Sequence, residues 1–364
     1  MLVVAGARPN FMKVSALWHA LSALRHPFAP MLVHTGQHYD YQLSQVFYRD
    51  LDLPPADFSL GVGSGSHAEQ TARVMIEFER VCLEQSPGLV VVVGDVNSTL
   101  ACALVAAKLG VPVAHVEAGL RSFDRSMPEE INRVLTDAVA RFLFTPSRDA
   151  VENLRREGVP DGSIFFVGNV MVDTLLRFRQ KAEALAPWRE FGFAAGAYGV
   201  VTLHRPANVD NQDVLLEILE GLSVIQDQVP LIFPAHPRTA ARIRAFGLGP
   251  LVARMRNLRV VEPLGYLQFL SVMGHAQFIL TDSGGIQEET TMLGVPCLTL
   301  RVNTERPVTL TGGTNRLVRT NRQHIIEAVR DLDSAHGCFT DGLPEFWDGR
   351  AAERIVSLLA PVFS

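Results

Sequence analysis

Short apolar runs, four to eight residues long and rich in β-branched side chains, alternate with longer amphipathic stretches along the whole chain. Runs of that length with little polar alternation read as strands buried on both faces, and the amphipathic stretches as the helices that cover them. The pattern predicts an α/β fold of two doubly wound, Rossmann-like domains. In the first half, strands are expected at residues 2–5, 30–35, 89–95, 111–118, 141–147 and 164–169. A second set is expected at residues 199–204, 230–237, 258–263, 277–282 and 295–301. The sets meet across residues 170–197, where RQKAEALAPWREFGF is charged and holds no strand-like run. A ligand cleft between two domains is the expectation. The closing GRAAERIVSLLAPVF reads as a helix that either domain could accept.

Ligands of doubly wound sheets sit beyond the carboxyl ends of the strands, and the unusual residues of this chain cluster there. GARPNFMK follows the first strand: Gly6 permits a tight turn, Arg8 offers a fork to phosphate, and Lys13 lies one turn into the next helix. GDVNST puts Asp95 at the rim of the third strand, where a lone Asp reads as a turn or cap residue. HVEAGLRS puts Glu117 at the corresponding place on the next. Carboxylates delivered by adjacent strands to one crevice form a candidate acid/base pair. MPEEINR then opens a helix with Glu129 and Glu130; acids there commonly serve the helix dipole, the preferred reading for Glu130.

The second set carries cationic chemistry. VTLHRPANVDN ends a strand with His204 and Arg205, a titratable donor beside a permanent cation, suited to a diphosphate. FPAHPRT repeats the arrangement with His236, and YLQFL offers Phe269 as a surface on which a base can stack. In QFILTDSGGIQEET, Ser283, Gly284 and Gly285 open a helix whose free N–H groups suit a phosphate. An acid about one turn further on lies beyond phosphate range and can take hydrogen bonds from a ribose diol. NTERPVT adds Glu305, a candidate gate, and the cation Arg306.

A net charge of −5 with scattered basic residues excludes a nucleic-acid footprint or a membrane-binding basic face. No run approaches the ~20 apolar residues of a membrane span, and LVVAGARP is too short an apolar start for a signal peptide. Cys82, Cys102, Cys297 and Cys338 show no metal or redox spacing and read as free thiols in a reducing cytoplasm. Neither a Walker loop nor a dinucleotide fingerprint is present. GVGSGS at 61–66 lacks the GxGxxG register and a preceding strand and reads as a flexible loop. No NAD, other cofactor or metal is expected.

Taken together, GARPNFMK, GDVNST, HVEAGLRS, PEEINR, TLHRP, AHPRT, TDSGGIQEE and TERP resemble the non-hydrolysing UDP-N-acetylglucosamine 2-epimerases, in order and over essentially the whole chain. The resemblance implies the GT-B type of fold, with residues 1–172 as the hexose-side domain, joined by a returning helix at 350–364, and residues 173–349 as the UDP-binding domain. It implies a UDP-sugar substrate and catalysis by Asp95, Glu117, Glu129 and His204. It places nucleotide contacts on Arg8, Lys13, Phe269, Ser283, Gly284, Gly285, Glu289 and Arg306. Glu288 receives no role and is expected to face solvent. A homodimer and a place in polysaccharide biosynthesis accompany these expectations. Some bacterial members bind a second substrate molecule as activator through a Gln-His pair, matched here by Gln37 and His38, a histidine matched by His236, and an arginine near the Gly-rich loop. LGVGSGSHAEQT has no arginine there, which counts against activation and brings the stretch closer to the epimerases of UDP-2,3-diacetamido-glucuronic acid. The remaining alternatives are a GT-B glycosyltransferase and a catalytically silent nucleotide-sugar sensor.

Overall fold

The computed structural model describes residues 1–37, 41–334 and 342–363. The chain divides into two compact units, Met1–Arg177 with Glu345–Ser364, and Phe178–Pro344. The division falls within the continuous helix Val170–Glu183.

The first unit contains β1 (Leu2–Ala5), β2 (Met31–His34), β3 (Phe58–Ser59), β4 (Val90–Val93), β5 (Val113–Val116), β6 (Phe142–Thr145) and β7 (Ile164–Phe166). They form one parallel sheet in the order β3, β2, β1, β4, β5, β6, β7. The VVVV run of β4 is buried at every position, as a strand covered on both faces must be. Helices His67–Gln85 and Asn97–Lys108 pack together over it through Val74, Phe78 and Cys102, and Arg8–Ala23 packs on the closing helix Ala351–Leu359. The Asp173 carboxylate caps that closing helix, accepting the N–H groups of Ala351 at 3.1 Å and Ala352 at 2.7 Å.

The second unit contains β8 (Gly199–Thr202), β9 (Leu231–Pro234), β10 (Leu258–Val261), β11 (Phe278–Thr281), β12 (Cys297–Leu300) and β13 (Asn315–Val318). These are also parallel, in the order β10, β9, β8, β11, β12, β13. Val201, Leu219, Leu222, Phe233, Leu280 and Ile325 belong to its core. In each sheet the order reverses beside the first strand, between β1 and β4 and between β8 and β11. Parallel sheets of this kind hold their ligands at that reversal.

Two strands escape the apolar pattern. β3 is only two residues long, and β13 (NRLV) shows a broken burial pattern after the TGGT turn. The 61–66 loop therefore does follow a strand. It is also tied down: the Val62 N–H donates to the Thr35 carbonyl at 3.1 Å and the Gly63 N–H to that of Gly36 at 2.9 Å. Cys82, Cys102 and Cys297 are buried free thiols, and Cys338 lies outside the described residues. No described helix is long and apolar enough to cross a membrane.

Candidate active site

At the reversal of the first sheet, the loop after β1 is held by Asn10. Its Oδ1 accepts the N–H groups of Gly6 at 3.1 Å and Ala7 at 2.9 Å, and its Nδ2 donates to the Val93 carbonyl at 3.1 Å. Gly6 is needed for close approach rather than for a left-handed turn, since a Cβ there would lie 2.6 Å from that of Ser98. Arg8 is half-buried at the first residue of the helix that follows. Lys13, one turn further on, is buried with its ammonium on the Glu117 carboxylate. It also approaches Gly94, where a Cβ would stand 2.7 Å from Nζ.

Glu117 follows β5 with a left-handed φ of 74°, unusual for a non-glycine residue and costing of order 1–3 kcal/mol. The strain is sustained because Glu117 and Ala118 both donate their N–H groups to the Phe144 carbonyl, at 3.1 and 3.0 Å. Asp95 follows β4 with its side chain 23% exposed and paired to the fully buried Arg133. The same guanidinium holds Glu130 at 2.7 Å. Each rim carboxylate thus has a buried cation beside it, which fixes the direction of its side chain.

Glu130 is not the solvated dipole partner expected of a helix start. It is buried and accepts hydrogen bonds from the N–H groups of Ser122 at 3.0 Å and Phe123 at 2.8 Å, and from Ser122 Oγ at 3.0 Å. Burial alone would raise its pKa; these bonds and Arg133 hold the carboxyl below the usual range. Glu129 stands exposed on the first turn of the same helix, Pro128–Val139, and shares none of these contacts. Gln37 is buried, its Oε1 accepting Ser98 N–H at 3.1 Å and Oγ at 2.7 Å. His38, its proposed partner, lies outside the described residues.

At the reversal of the second sheet, one buried carboxylate organises the rim. Asp282, with no exposure, accepts the backbone N–H groups of His204 and Arg205, both at 3.0 Å, and Asn208 Nδ2 at 3.2 Å. Its Oδ1 lies 2.9 Å from Nδ1 of the half-exposed His204 ring. Desolvation opposes this charge, yet the His204 ring and the two N–H donors hold the Asp282 carboxyl below its ordinary range. Binding through Nδ1 leaves Nε2 as the nitrogen of His204 that can meet a ligand.

The helix Gly284–Leu293 begins beside this pair. Ser283 is its N-cap but makes no side-chain capping bond; its backbone N–H donates to Thr281 Oγ1 at 3.0 Å. Ser283, Gly284 and Gly285 are half-exposed, so the helix start is open to solvent. Around it, Glu305 is fully buried among arginines, with Arg301 Nη2 at 2.8 Å, Arg306 Nη1 at 2.5 Å and Arg205 Nη2 at 3.6 Å. A residue so held is a brace for the cations, not a gate. Glu288 is likewise not solvent-facing: it is buried and bound by Arg306 Nε at 2.9 Å. Three guanidinium groups, of Arg205, Arg301 and Arg306, thus face the carboxylates of Glu305 and Glu288 at the helix start, with that of Asp282 adjoining.

Glu289, further along that helix, is 5% exposed, and burial pushes its carboxyl up to about 8, with Glu288 adding to the shift and the Tyr266 hydroxyl opposing it. Neither that hydroxyl nor Glu289 Oε1 makes a hydrogen bond of good geometry. A buried acceptor without such a bond is costly unless a ligand supplies the donor. Phe269 is half-buried on helix Tyr266–Gly274, which packs on Gly284–Leu293. His236 is exposed, caps helix Pro237–Ala245, and lies 5.9 Å from the His204 ring, centre to centre.

The sequence pattern passed over Asp282, Arg133 and His115, a buried residue within β5. Asp282 directly precedes the Ser-Gly-Gly turn, so its place at a strand end was the available signal.

A family model described as UDP-N-acetylglucosamine 2-epimerase matches residues 22–360. A UDP-N-acetylglucosamine 2-epimerase of Methanocaldococcus jannaschii is 44% identical over 362 residues, covering 98% of each chain. The chain belongs to the UDP-N-acetylglucosamine 2-epimerase family. Within this epimerase family its relatives differ in the sugar named: a UDP-2,3-diacetamido-2,3-dideoxy-D-glucuronate 2-epimerase of Pseudomonas aeruginosa is 40% identical over 364 residues, covering 99% of each. The Methanocaldococcus jannaschii epimerase solved in complex with UDP-GlcNAc and UDP superimposes with a TM-score of 0.91 over 98% of both chains, at 44% identity. The fold is α/β of the GT-B type, as in those epimerases.

Proposed function

We propose that the protein is a non-hydrolysing UDP-N-acetylglucosamine 2-epimerase, an isomerase that interconverts UDP-N-acetylglucosamine and UDP-N-acetylmannosamine. One observation carries the reading beyond family membership. Asp95 and Glu117 follow neighbouring strands, each against its own buried cation, in a unit whose sheet reverses at that point.

The hydrogen at the second carbon of the hexose is not acidic, because no carbonyl adjoins it. Elimination solves the problem. A carboxylate takes that proton, the bond from the anomeric carbon to UDP breaks, and a carbon–carbon double bond forms, giving 2-acetamidoglucal. UDP then returns to the anomeric carbon while an acid delivers a proton to the opposite face of the second carbon. In this reading Asp95 and Glu117, with Glu129, supply the proton chemistry. His204, steered by Asp282, and Arg205, Arg306, Ser283, Gly284 and Gly285 stabilise charge on the departing diphosphate. Glu289 reads the ribose, Phe269 the base, and Arg8, Lys13 and His236 complete the substrate contacts, with Gln37 and His38 at any activator site.

A second reading is favoured by the Pseudomonas aeruginosa relative at 40% identity: the same chemistry on UDP-2,3-diacetamido-glucuronic acid. Chromatography of each sugar nucleotide after incubation decides between them. Turnover of UDP-N-acetylglucosamine at the higher kcat/KM supports the first; preference for the glucuronate supports the second; transfer to an acceptor without epimer refutes both. We further propose a cytoplasmic homodimer acting in polysaccharide biosynthesis. Ile76 and Leu83 on helix His67–Gln85, and Ile131 and Leu135 on helix Pro128–Val139, are exposed apolar side chains that support self-association, which light scattering measures.

A further inference from the structure

We propose that His115, Asp137 and Arg121 form a positioning network that fixes the loop carrying Asp95 relative to the loop carrying Glu117; the idea rests on the reading of those carboxylates as the proton-transfer groups. His115 has no exposure. Its Nε2 lies 2.8 Å from the carbonyl oxygen of Gly94, the residue before Asp95, and its Nδ1 lies 2.6 Å from Asp137 Oδ1. The other oxygen, Asp137 Oδ2, accepts the N–H of Gly119 at 3.1 Å, two residues beyond Glu117. It also pairs with Arg121 Nη2 at 2.7 Å, and that guanidinium grips Glu157 through Nε at 2.8 Å and Nη2 at 2.7 Å. One chain of buried polar contacts therefore runs from the backbone of the first carboxylate's loop to that of the second.

The loops need such a tie. Glu117 has a φ of 74°, which persists in a non-glycine residue only when the surroundings over-determine it, and Gly94 and Gly119, with φ of 67° and 81°, are glycines that impose no backbone conformation of their own. A stability role alone explains the cluster poorly, because buried ion pairs are often no better for stability than apolar side chains of the same volume. Desolvation would raise the Asp137 pKa, but His115 and Arg121 hold the carboxyl below its usual range, so it stays a charged acceptor for both loops. Displacing one acid by about an ångström can cost on the order of a hundredfold in rate without weakening the grip on the nucleotide.

The test compares His115→Phe, which keeps a ring but loses both contacts, with His115→Gln, whose amide can still donate to Gly94. For His115→Phe the expected result is a fall of about a hundredfold in kcat, KM and UDP affinity within threefold of wild type, and a ratio of free glycal to epimer raised at least fivefold. His115→Gln should recover at least tenfold of that loss and return the ratio towards wild type. If His115→Phe does not fold, His115→Gln alone should still raise the ratio measurably. The network idea is overturned by a folded His115→Phe protein with kcat within threefold of wild type, or by variants that lose epimer and glycal in wild-type proportion. Wild-type turnover in the same assay separates the two claims. A silent wild type overturns the functional reading and the network's purpose with it; an active wild type beside an unaltered His115→Phe overturns the network alone.

Discussion

Replacing Asp282 by Asn keeps the side chain's shape and removes its charge, which isolates what the buried carboxylate does for His204. The amide oxygen can still accept the backbone N–H groups of His204 and Arg205, now held at 3.0 Å. Its NH2 group must then face Nδ1 of His204, which sits 2.9 Å from a carboxylate oxygen in the native protein. The contact reverses from acceptor to donor, so the ring can no longer carry protons on both nitrogens with an anion at Nδ1 to balance the charge it turns towards the diphosphate. A hydrogen bond to a charged group is worth roughly 1.5–3 kcal/mol, which corresponds to about 10- to 150-fold in turnover. On the proposal that His204 serves the leaving group, epimer and glycal should fall together, with KM little changed. Stability supplies an independent reading. Asp282 is held below the 3.8 of an unfolded Asp, so its contribution is present above that pH and is lost as pH falls through the folded value. Asp282→Asn should therefore lower Tm equally at pH 7 and pH 5, and by less only once the pH falls below 3.8. Product chromatography with thermal melts at several pH values makes the measurement. Wild-type turnover in the variant, or a loss accompanied by escape of glycal, would refute the role given to Asp282.

Glu117→Gln leaves the Lys13 ammonium buried without its anion and should cost about 3–5 kcal/mol in denaturant unfolding, while adding Lys13→Met restores most stability but no activity; strictly additive losses would contradict the pairing. Glu289 ionises near 4.5 when unfolded but is pushed up to about 8 when folded, so its contribution to stability falls as pH rises between those values, and Glu289→Gln should flatten that slope. If Glu289 holds the ribose as proposed, Glu289→Ala should also weaken UDP at least tenfold in calorimetry, since two hydrogen bonds worth about 1 kcal/mol each are lost, whereas Glu288→Ala should chiefly destabilise the fold through Arg306. Asp173→Ala should cost about 0.5–2 kcal/mol by uncapping helix Ala351–Leu359, read as earlier hydrogen exchange in that helix.

The sheets were legible because a strand buried on both faces must be apolar throughout, as in the VVVV of β4. β3 and β13 were not, being too short or too mixed to carry that signature. The rim positions of Asp95 and Glu117 followed from counting to the ends of apolar runs, which needs no tertiary information. Their partners did need it. Lys13 meets Glu117, and Arg133 meets Asp95, across long stretches of chain. Glu288 and Glu130 misled for the same reason: local sequence shows two acids near a helix start, while their burial depends on Arg306 and on the 122–123 backbone. His115 was hidden because a histidine inside an apolar strand looks like a satisfied core residue, and only the fold reveals that its partners are Gly94 and Asp137.

The most direct test of the elimination chemistry is proton NMR of UDP-N-acetylglucosamine incubated with the protein in heavy water, without added NAD or metal. The expected outcome is UDP-N-acetylmannosamine appearing with deuterium at the second carbon of the hexose, because the proton returned to that carbon comes from an acid in exchange with solvent. Epimer formed with its original hydrogen retained, or activity that appears only when NAD is supplied, would contradict it.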